Sequence, residues 1–242
     1  MAGEAVPDES SMPPASAEAG GARPLTRAGV IAEVTIVYAV AILLLRFLDA
    51  NRGAPILRDY FAVLVPAVFL YLPIGVLILR KAPFEIMGFR VESWRKTLLY
   101  GLGMTALVLP LFVLGYKVYA QWFFHWRITF QWPKDAAETM LYQLLCVALP
   151  EELFYRGYMQ SRLGQVFRQP KHWFLGAFGI AILISNFYFA IGHVLINFDF
   201  FRASTFIPGL LFAWLRFRTG SIYAGAFCHA MCNMTMIAIQ GG

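Results

Sequence analysis

The chain of 242 residues has little charge, few cysteines and no standard zinc-protease motif, and each absence excludes a class of protein. Only 14% of its residues are charged, against about 25% in soluble globular proteins, which excludes a water-soluble fold. Its three cysteines all lie within apolar runs, which excludes a disulfide framework. The sequence His-Glu-x-x-His does not occur, so the common helical zinc site of proteases is absent.

Apolar and aromatic residues, by contrast, are abundant. Hydrophobic residues make up 59% of the chain and aromatic residues 16%, and the mean hydropathy is +0.61. A chain of this size could not bury so much apolar surface in water, so we expect lipid to be its solvent and helices to be its spans. The net charge of +6 comes mostly from Lys and Arg in the gaps between apolar runs. That pattern indicates contact with anionic lipids and positive-inside topology, and not nucleic-acid binding.

The chain divides into a polar tail and an apolar body. Residues 1–27 are rich in Ala, Pro, Gly, Ser and Glu, and we expect them to be disordered because they have no apolar core. Residues 28–242 contain apolar runs close to the ~20 residues that cross a bilayer, and they predict an all-α polytopic bundle of about seven transmembrane helices. The predicted spans are 29–48, 60–79, 98–116, 137–160, 174–196, 204–217 and 221–240.

Basic residues in the gaps predict the orientation of the bundle. The face that includes the tail carries twelve Lys and Arg residues, among them Arg162, and the other face carries seven. This excess predicts a cytoplasmic N-terminus. Seven spans would place the C-terminus on the opposite side, and incomplete crossing by 204–217 would return it to the same side. Trp122, Trp126 and Trp132 between the third and fourth spans are typical of an interfacial segment.

The fourth span contains two adjacent carboxylates, which are costly in an apolar helix and usually functional. Glu152 and Arg156 are four residues apart, so they share a helix face and are expected to pair as a buried structural brace. Glu151 points about 100° away from that face and has no charged partner at helical spacing. It suits a general base that acts on water, and a second brace to another helix is the alternative. Pro150 lacks an N–H and is expected to loosen the preceding turn.

The fifth and seventh spans contribute imidazole and amide groups. Asn186 and His193 are seven residues apart and share a face, as do His229 and Asn233, which are four apart. A carboxylate with an imidazole can deprotonate a water, and an imidazole with an amide can stabilise an oxyanion. The predicted site comprises Glu151, His193, His229 and Asn233, that is, one carboxylate, two imidazoles and one amide. These are the parts of a peptide-hydrolysing site that has no nucleophilic Ser or Cys.

The depth of this predicted site depends on where the fifth span begins. If it begins at residue 174, His193 lies about 30 Å along its helix, whereas Asn233 lies about 18 Å along the seventh. The two side chains can therefore share one depth only if the fifth span begins later, is strongly tilted or is broken.

The motifs on these three spans resemble those of the CAAX-prenyl protease and bacteriocin-processing family, abbreviated CPBP or Abi. They are Glu-Glu-x-x-x-Arg at 151–156, Phe-x-x-x-His at 189–193 and His-x-x-x-Asn at 229–233. Their order, each on its own apolar span, makes the resemblance specific. It implies an intramembrane endopeptidase whose catalytic core covers 137–238 within the transmembrane domain of residues 28–242.

The resemblance also implies a role for each motif residue. Glu151 would activate the water with the help of His193, and His229 and Asn233 would form the oxyanion site. The ion pair in the first motif would remain structural. No cofactor is expected, because a metal-free glutamate mechanism is favoured over a divalent metal such as Zn.

The implied partners are the lipid bilayer and a membrane protein or a lipidated or sorting-tail peptide, cut near its C-terminus or in a membrane-proximal segment. Nucleic acid is not an expected partner. The family includes bacterial enzymes, such as the myxosortase-like group, that process C-terminal sorting tails of surface proteins. The long Ala/Pro tail is compatible with such an enzyme, which would be a multi-pass protein of the bacterial inner (cytoplasmic) membrane.

Two other functions remain open from the residues. A non-enzymatic immunity or scaffolding protein would keep the same fold without catalysis. A proton-coupled transporter would use the buried carboxylates as a relay, although the sequence has no clear inverted repeat.

Overall fold

A computed structural model describes residues 26–125, 127–167 and 179–240. Within these ranges the chain forms seven main helices and no strand, and the predicted all-α membrane bundle is confirmed. The predicted disordered tail of residues 1–27 lies almost wholly outside the described residues, as does Trp126 of the predicted interfacial segment. The helices are α1 (Arg27–Ala50), α2 (Pro55–Leu79), α3 (Trp94–Phe124), α4 (136–166), α5 (Ile180–Asn197), α6 (Phe206–Thr219) and α7 (Tyr223–Gln240).

The first three helices are long and apolar enough to cross a membrane. They contain 24, 25 and 31 residues, with mean hydropathies of 2.4, 2.6 and 2.0. At 1.5 Å per residue each exceeds the ~30 Å hydrocarbon core. Large apolar side chains such as Leu43 and Leu99 are 69% and 68% exposed, as lipid-facing residues should be in a molecule whose solvent is the bilayer.

Helix α4 is one continuous helical stretch that contains two π-helical segments. Gln143–Ala148 and Leu153–Met159 are π-helical, and the short α-helical piece Leu149–Glu152 between them contains Pro150 and both carboxylates. The first π segment ends just before Pro150, the turn that the missing proline N–H was expected to loosen. π segments are rare and occur often at functional sites.

Helices α5, α6 and α7 are shorter, and their starting points determine how far along its helix each motif residue lies. Helix α5 begins at Ile180, after Gly179 in extended conformation, and not at the predicted residue 174. His193 therefore lies about 20 Å along α5 and Asn233 about 15 Å along α7. The helix that carries His193 thus starts later than predicted, and residues 168–178 before it lie outside the described part of the chain.

An ion-pair cluster joins three helices at the end of the bundle where α1 begins. The Glu33 carboxylate accepts two hydrogen bonds from Arg162 at 2.8 and 2.9 Å and one from Tyr158 at 3.1 Å. Arg80 at the end of α2 adds an ion pair at 3.0 Å. Arg162 was predicted as a flanking residue of the membrane face, but it is only 3% exposed and neutralises the buried carboxylate of α1.

A short turn between α2 and α3 inserts into the same end of the bundle. Phe84–Met87 forms one 3₁₀ turn, and Gly88 follows it with a φ of +76°, a left-handed conformation suited to glycine. Met87 is fully buried. The Gly88 carbonyl accepts a hydrogen bond from the Ile222 N–H at 3.2 Å, so the turn is fixed to the start of α7.

Candidate active site

Glu151 lies between the two histidines of the predicted site. Its Oε2 is 3.9 Å from Nε2 of His193 on α5 and 3.9 Å from Nε2 of His229 on α7. These side chains are 14%, 22% and 5% exposed, respectively. The structure thus brings together three of the four predicted catalytic residues from three helices.

The spacing of these three groups suits a small bridging molecule better than direct contact. A separation of 3.9 Å is too long for a hydrogen bond between heavy atoms, and one water can bridge polar groups at such a distance. The Oε2 atom of Glu151 is buried and has no hydrogen-bond partner among the described residues. A buried carboxylate oxygen in this condition is a strong acceptor directed at whatever occupies the space.

His193 is oriented by the helix that carries it. Its Nδ1 lies 2.9 Å from the Phe189 carbonyl one turn earlier, and because a carbonyl can only accept, Nδ1 carries the proton. The other nitrogen, Nε2, is thereby turned toward Glu151. The Phe189 ring packs edge-on against the imidazole at a centroid distance of 4.6 Å, which explains the pairing of Phe and His in one motif.

His229 is oriented by the second carboxylate of the pair. Its Nδ1 lies 3.1 Å from Oε1 of Glu152, so its Nε2 faces Glu151. The imidazole also stacks on Phe212 of α6, with centroids 4.7 Å apart and planes at 14°. Glu152 was predicted as a brace alone, and the structure adds this contact with a predicted catalytic residue.

The Glu152–Arg156 pair is completely buried. The Arg156 Nη1 lies 3.1 Å from Oε1 of Glu152, and both side chains are 0% exposed. The Nη2 atom donates to the Gly209 carbonyl of α6 at 3.0 Å and to Oδ1 of Asn186 on α5 at 3.5 Å. The guanidinium also covers the Phe189 ring at 4.1 Å. These contacts join α4, α5 and α6, and they place Asn186 beside Arg156.

Asn233, the fourth predicted catalytic residue, is held by a residue that the sequence reasoning missed. Its Nδ2 donates to Oε1 of Gln143 on α4 at 3.0 Å. Eight residues separate Gln143 from Glu151, and in a regular α-helix they would be about 80° apart around the axis. The π-helical segment between them changes that phase. Only the presence of an amide in an apolar span could have drawn attention to Gln143.

The described residues contain no group of three or more His, Cys, Asp or Glu side chains arranged to hold a metal ion. Cys228 and Cys232 on α7 are free and buried. Chemically, the arrangement offers a carboxylate that can accept a proton from water, two imidazoles aligned by other groups and an amide that donates.

Residues 133–235 match the family model described as type II CAAX prenyl endopeptidase Rce1-like. All of the site residues from Gln143 to Asn233 lie within this range. No curated protein and no solved structure shows significant similarity to the chain.

Proposed function

We propose that the chain, whose residues 133–235 match the model of the Rce1-like CAAX prenyl endopeptidases of the CPBP family, hydrolyses a peptide bond with water activated by Glu151. One observation carries the proposal. A buried carboxylate oxygen with no hydrogen-bond partner in the described part of the chain lies 3.9 Å from two imidazole nitrogens on separate helices. A purely structural carboxylate would instead be paired, as Glu152 is with Arg156.

In the proposed reaction, water binds between Glu151 and His193. Glu151 removes a proton as the water oxygen forms a bond to the carbonyl carbon of the substrate. The tetrahedral intermediate then collapses, the C–N bond breaks, and the proton on Glu151 passes to the leaving amine. His193, fixed by the Phe189 carbonyl, orients the water during the attack.

In this proposal, His229 and Asn233 stabilise the negative charge that develops on the carbonyl oxygen. With Glu152 accepting from Nδ1 of His229, donation from Nε2 requires the ring to carry a proton on both nitrogens, the form proposed for this step. With His229 in that form, Arg156 and His229 balance the charges of Glu151 and Glu152. The Asn233 amide supplies the second donor, and such preorganised donors are often the largest contribution to catalysis.

We propose that this chemistry needs no metal ion. Glu152 has two roles in this proposal. It forms a structural ion pair with Arg156, and it orients the imidazole of His229.

The proposed substrate is the C-terminal or membrane-proximal segment of a membrane-associated protein. The family description indicates a prenylated CAAX tail, and a bacterial sorting tail of the kind cut by myxosortase-like enzymes is the second candidate. We also propose a location in the bacterial cytoplasmic membrane with the N-terminus in the cytoplasm. The excess of Lys and Arg on the face that includes the tail favours that orientation.

The proposal is tested with the purified full-length protein in liposomes. The probe is an internally quenched peptide that ends in farnesyl-Cys-aliphatic-aliphatic-X, together with the same peptide without the farnesyl group. Glu151→Gln is expected to lower the cleavage rate by at least about 100-fold, the contribution of a general base. Glu138→Gln, the same change at an exposed position of α4, is the matched control and should cleave like the wild type.

Each outcome of this assay decides a point. Cleavage of the farnesylated peptide alone identifies a prenyl substrate, and equal cleavage of both identifies a peptidase that does not read the lipid. If the wild type cleaves neither, or if Glu151→Gln remains fully active at equal expression, the proposed function is wrong. Dialysis against EDTA should leave the rate unchanged, and a loss that Zn²⁺ restores would contradict the metal-free mechanism.

A further inference from the structure

We propose that Gln143 is a positioning residue that turns the Asn233 amide toward the oxyanion, an inference that rests on the proposed function. The Asn233 Nδ2 donates to Oε1 of Gln143 at 3.0 Å. Both side chains are partly buried. Their hydrogen bond joins α4, which carries Glu151, to α7, which carries His229.

The direction of the Asn233 amide decides whether it can serve the reaction. An asparagine side chain presents a carbonyl oxygen on one side and an NH₂ group on the other, and rotation by half a turn about its last bond exchanges them. An oxyanion needs the donor, and a carbonyl oxygen in that place would repel the developing charge. The orientation must therefore be fixed by a neighbour before the substrate binds.

Gln143 is that neighbour, because it presents its Oε1, which can only accept, to the Asn233 amide. By accepting one N–H of Asn233, it places the NH₂ group on the α4 side and leaves the second N–H for another acceptor. His229 lies one turn earlier on the same face of α7, so the amide and the imidazole can donate to one oxygen. Without Gln143 the amide would populate both orientations.

The π-helical segment of α4 explains how one helix serves both catalytic groups. Gln143 begins this segment and Glu151 follows its end. A π turn contains more residues than an α turn, so residues that would lie on different faces of a regular helix are brought toward the same side. Helix α4 thus directs the base at the water and the Gln143 acceptor at α7.

A merely structural role for the Gln143–Asn233 bond makes a different prediction. A bond that only ties α4 to α7 would change stability, and any acceptor or packing group of similar size would affect turnover equally. A positioning bond changes kcat more than KM, depends on the acceptor, and has no effect once the Asn233 amide is gone.

The test compares variants of the full-length protein in liposomes with whichever peptide probe of the preceding assay the wild type cleaves. Gln143→Met removes the acceptor at similar size and is expected to lower kcat about tenfold with little change in KM. Gln143→Glu retains acceptor oxygens but adds a charge that opposes the oxyanion, and it is expected to keep a higher kcat than Gln143→Met. Asn233→Ala is expected to lose about 100-fold or more, and adding Gln143→Met to it should cause no further loss.

The matched control is Gln160→Met, the same substitution on the same helix. Gln160 donates to the Ala213 carbonyl of α6 at 3.3 Å and should leave kcat unchanged. Wild-type turnover by Gln143→Met, or an undiminished tenfold loss in the Asn233→Ala background, overturns the role of Gln143 alone. A wild type that cleaves neither peptide overturns the proposed function, and this inference falls with it.

Discussion

At the scale of single residues, Arg156 is the most consequential charge outside the catalytic groups. Its guanidinium is fully buried and contacts Glu152, the Gly209 carbonyl and Asn186 on three helices. Removing one partner of a buried ion pair leaves the other charge without compensation, and that loss exceeds the net value of the pair itself. In this protein the uncompensated charge would be the carboxylate of Glu152, which also orients His229.

We therefore expect Arg156→Met to destabilise the protein by roughly 3–5 kcal/mol, measured by unfolding of the purified protein in a denaturing detergent. The control is Arg202→Met, because the Arg202–Asp199 pair is exposed and should contribute at most about 1 kcal/mol. Equal stability of the two variants would show that the buried guanidinium is not needed to compensate Glu152.

The residue scale also shows what sequence could and could not predict about the site. Glu151, His193 and His229 were predicted because ionisable residues stand out against apolar spans, and the structure brings them together. Gln143 was missed because regular helix geometry places it away from Glu151, and nothing in the sequence marks the π segment. Their chemical roles stay predictions.

At the scale of helices and turns, close backbone approach governs how α4 packs against the turn before α3. An ideal Cβ on Gly157 would lie 2.7 Å from the Met87 carbonyl oxygen, a backbone atom that cannot move away by itself. The turn is held elsewhere by Arg216, which donates to the Ile86 carbonyl at 2.9 Å. The absence of a side chain at residue 157 is thus a condition for insertion of Met87.

Gly157→Ala is expected to displace this turn and destabilise the protein by about 1–3 kcal/mol. Gly103→Ala on α3 is the matched control, because an added Cβ there meets nothing within 4 Å and should be neutral or slightly stabilising. Thermal unfolding in detergent compares the two variants. A Gly157→Ala protein as stable as Gly103→Ala would contradict the steric role of this glycine.

Helices were easier to predict than their contacts. Each apolar run of about 20 residues corresponds to a helix. Such runs can be recognised because the length and hydropathy of a segment are enough to predict a membrane-spanning helix. The start of α5 at Ile180 and the burial of Arg162 could not be read in the same way. Arg162 pairs with Glu33, 129 residues earlier in the chain. A basic residue near a helix end is predicted to lie at the membrane surface unless such a distant partner is known.

At the scale of the whole molecule, the α5–α6 pair bears on the orientation of the C-terminus. Helix α6 has 14 residues, about 21 Å, which is shorter than the hydrocarbon core. It packs antiparallel to α5 as a hairpin, so the chain returns to the end from which α5 departed whether or not the hairpin crosses completely. The shortness of α6 alone therefore does not exchange the side on which α7 begins.

We accordingly expect the two ends of the chain on opposite sides of the membrane. Fusions of the full chain to green fluorescent protein, which is fluorescent in the cytoplasm, and to alkaline phosphatase, which is active outside it, measure this. Fluorescence from the N-terminal fusion and phosphatase activity from the C-terminal fusion are the expected results. Activity of both reporters on one side would contradict the seven-helix topology.

The cluster around Glu33 also limits how this protein can be recombined with its relatives. The carboxylate comes from α1, outside the family-matched residues 133–235, whereas its partner Arg162 lies inside them. A transplanted 133–235 segment would therefore arrive with an inward-facing cation and no counterion. The segment that must be transferred is therefore larger than residues 133–235, because it includes the acid of α1. Any chimera that exchanges the first helix must carry an acid at the position of Glu33.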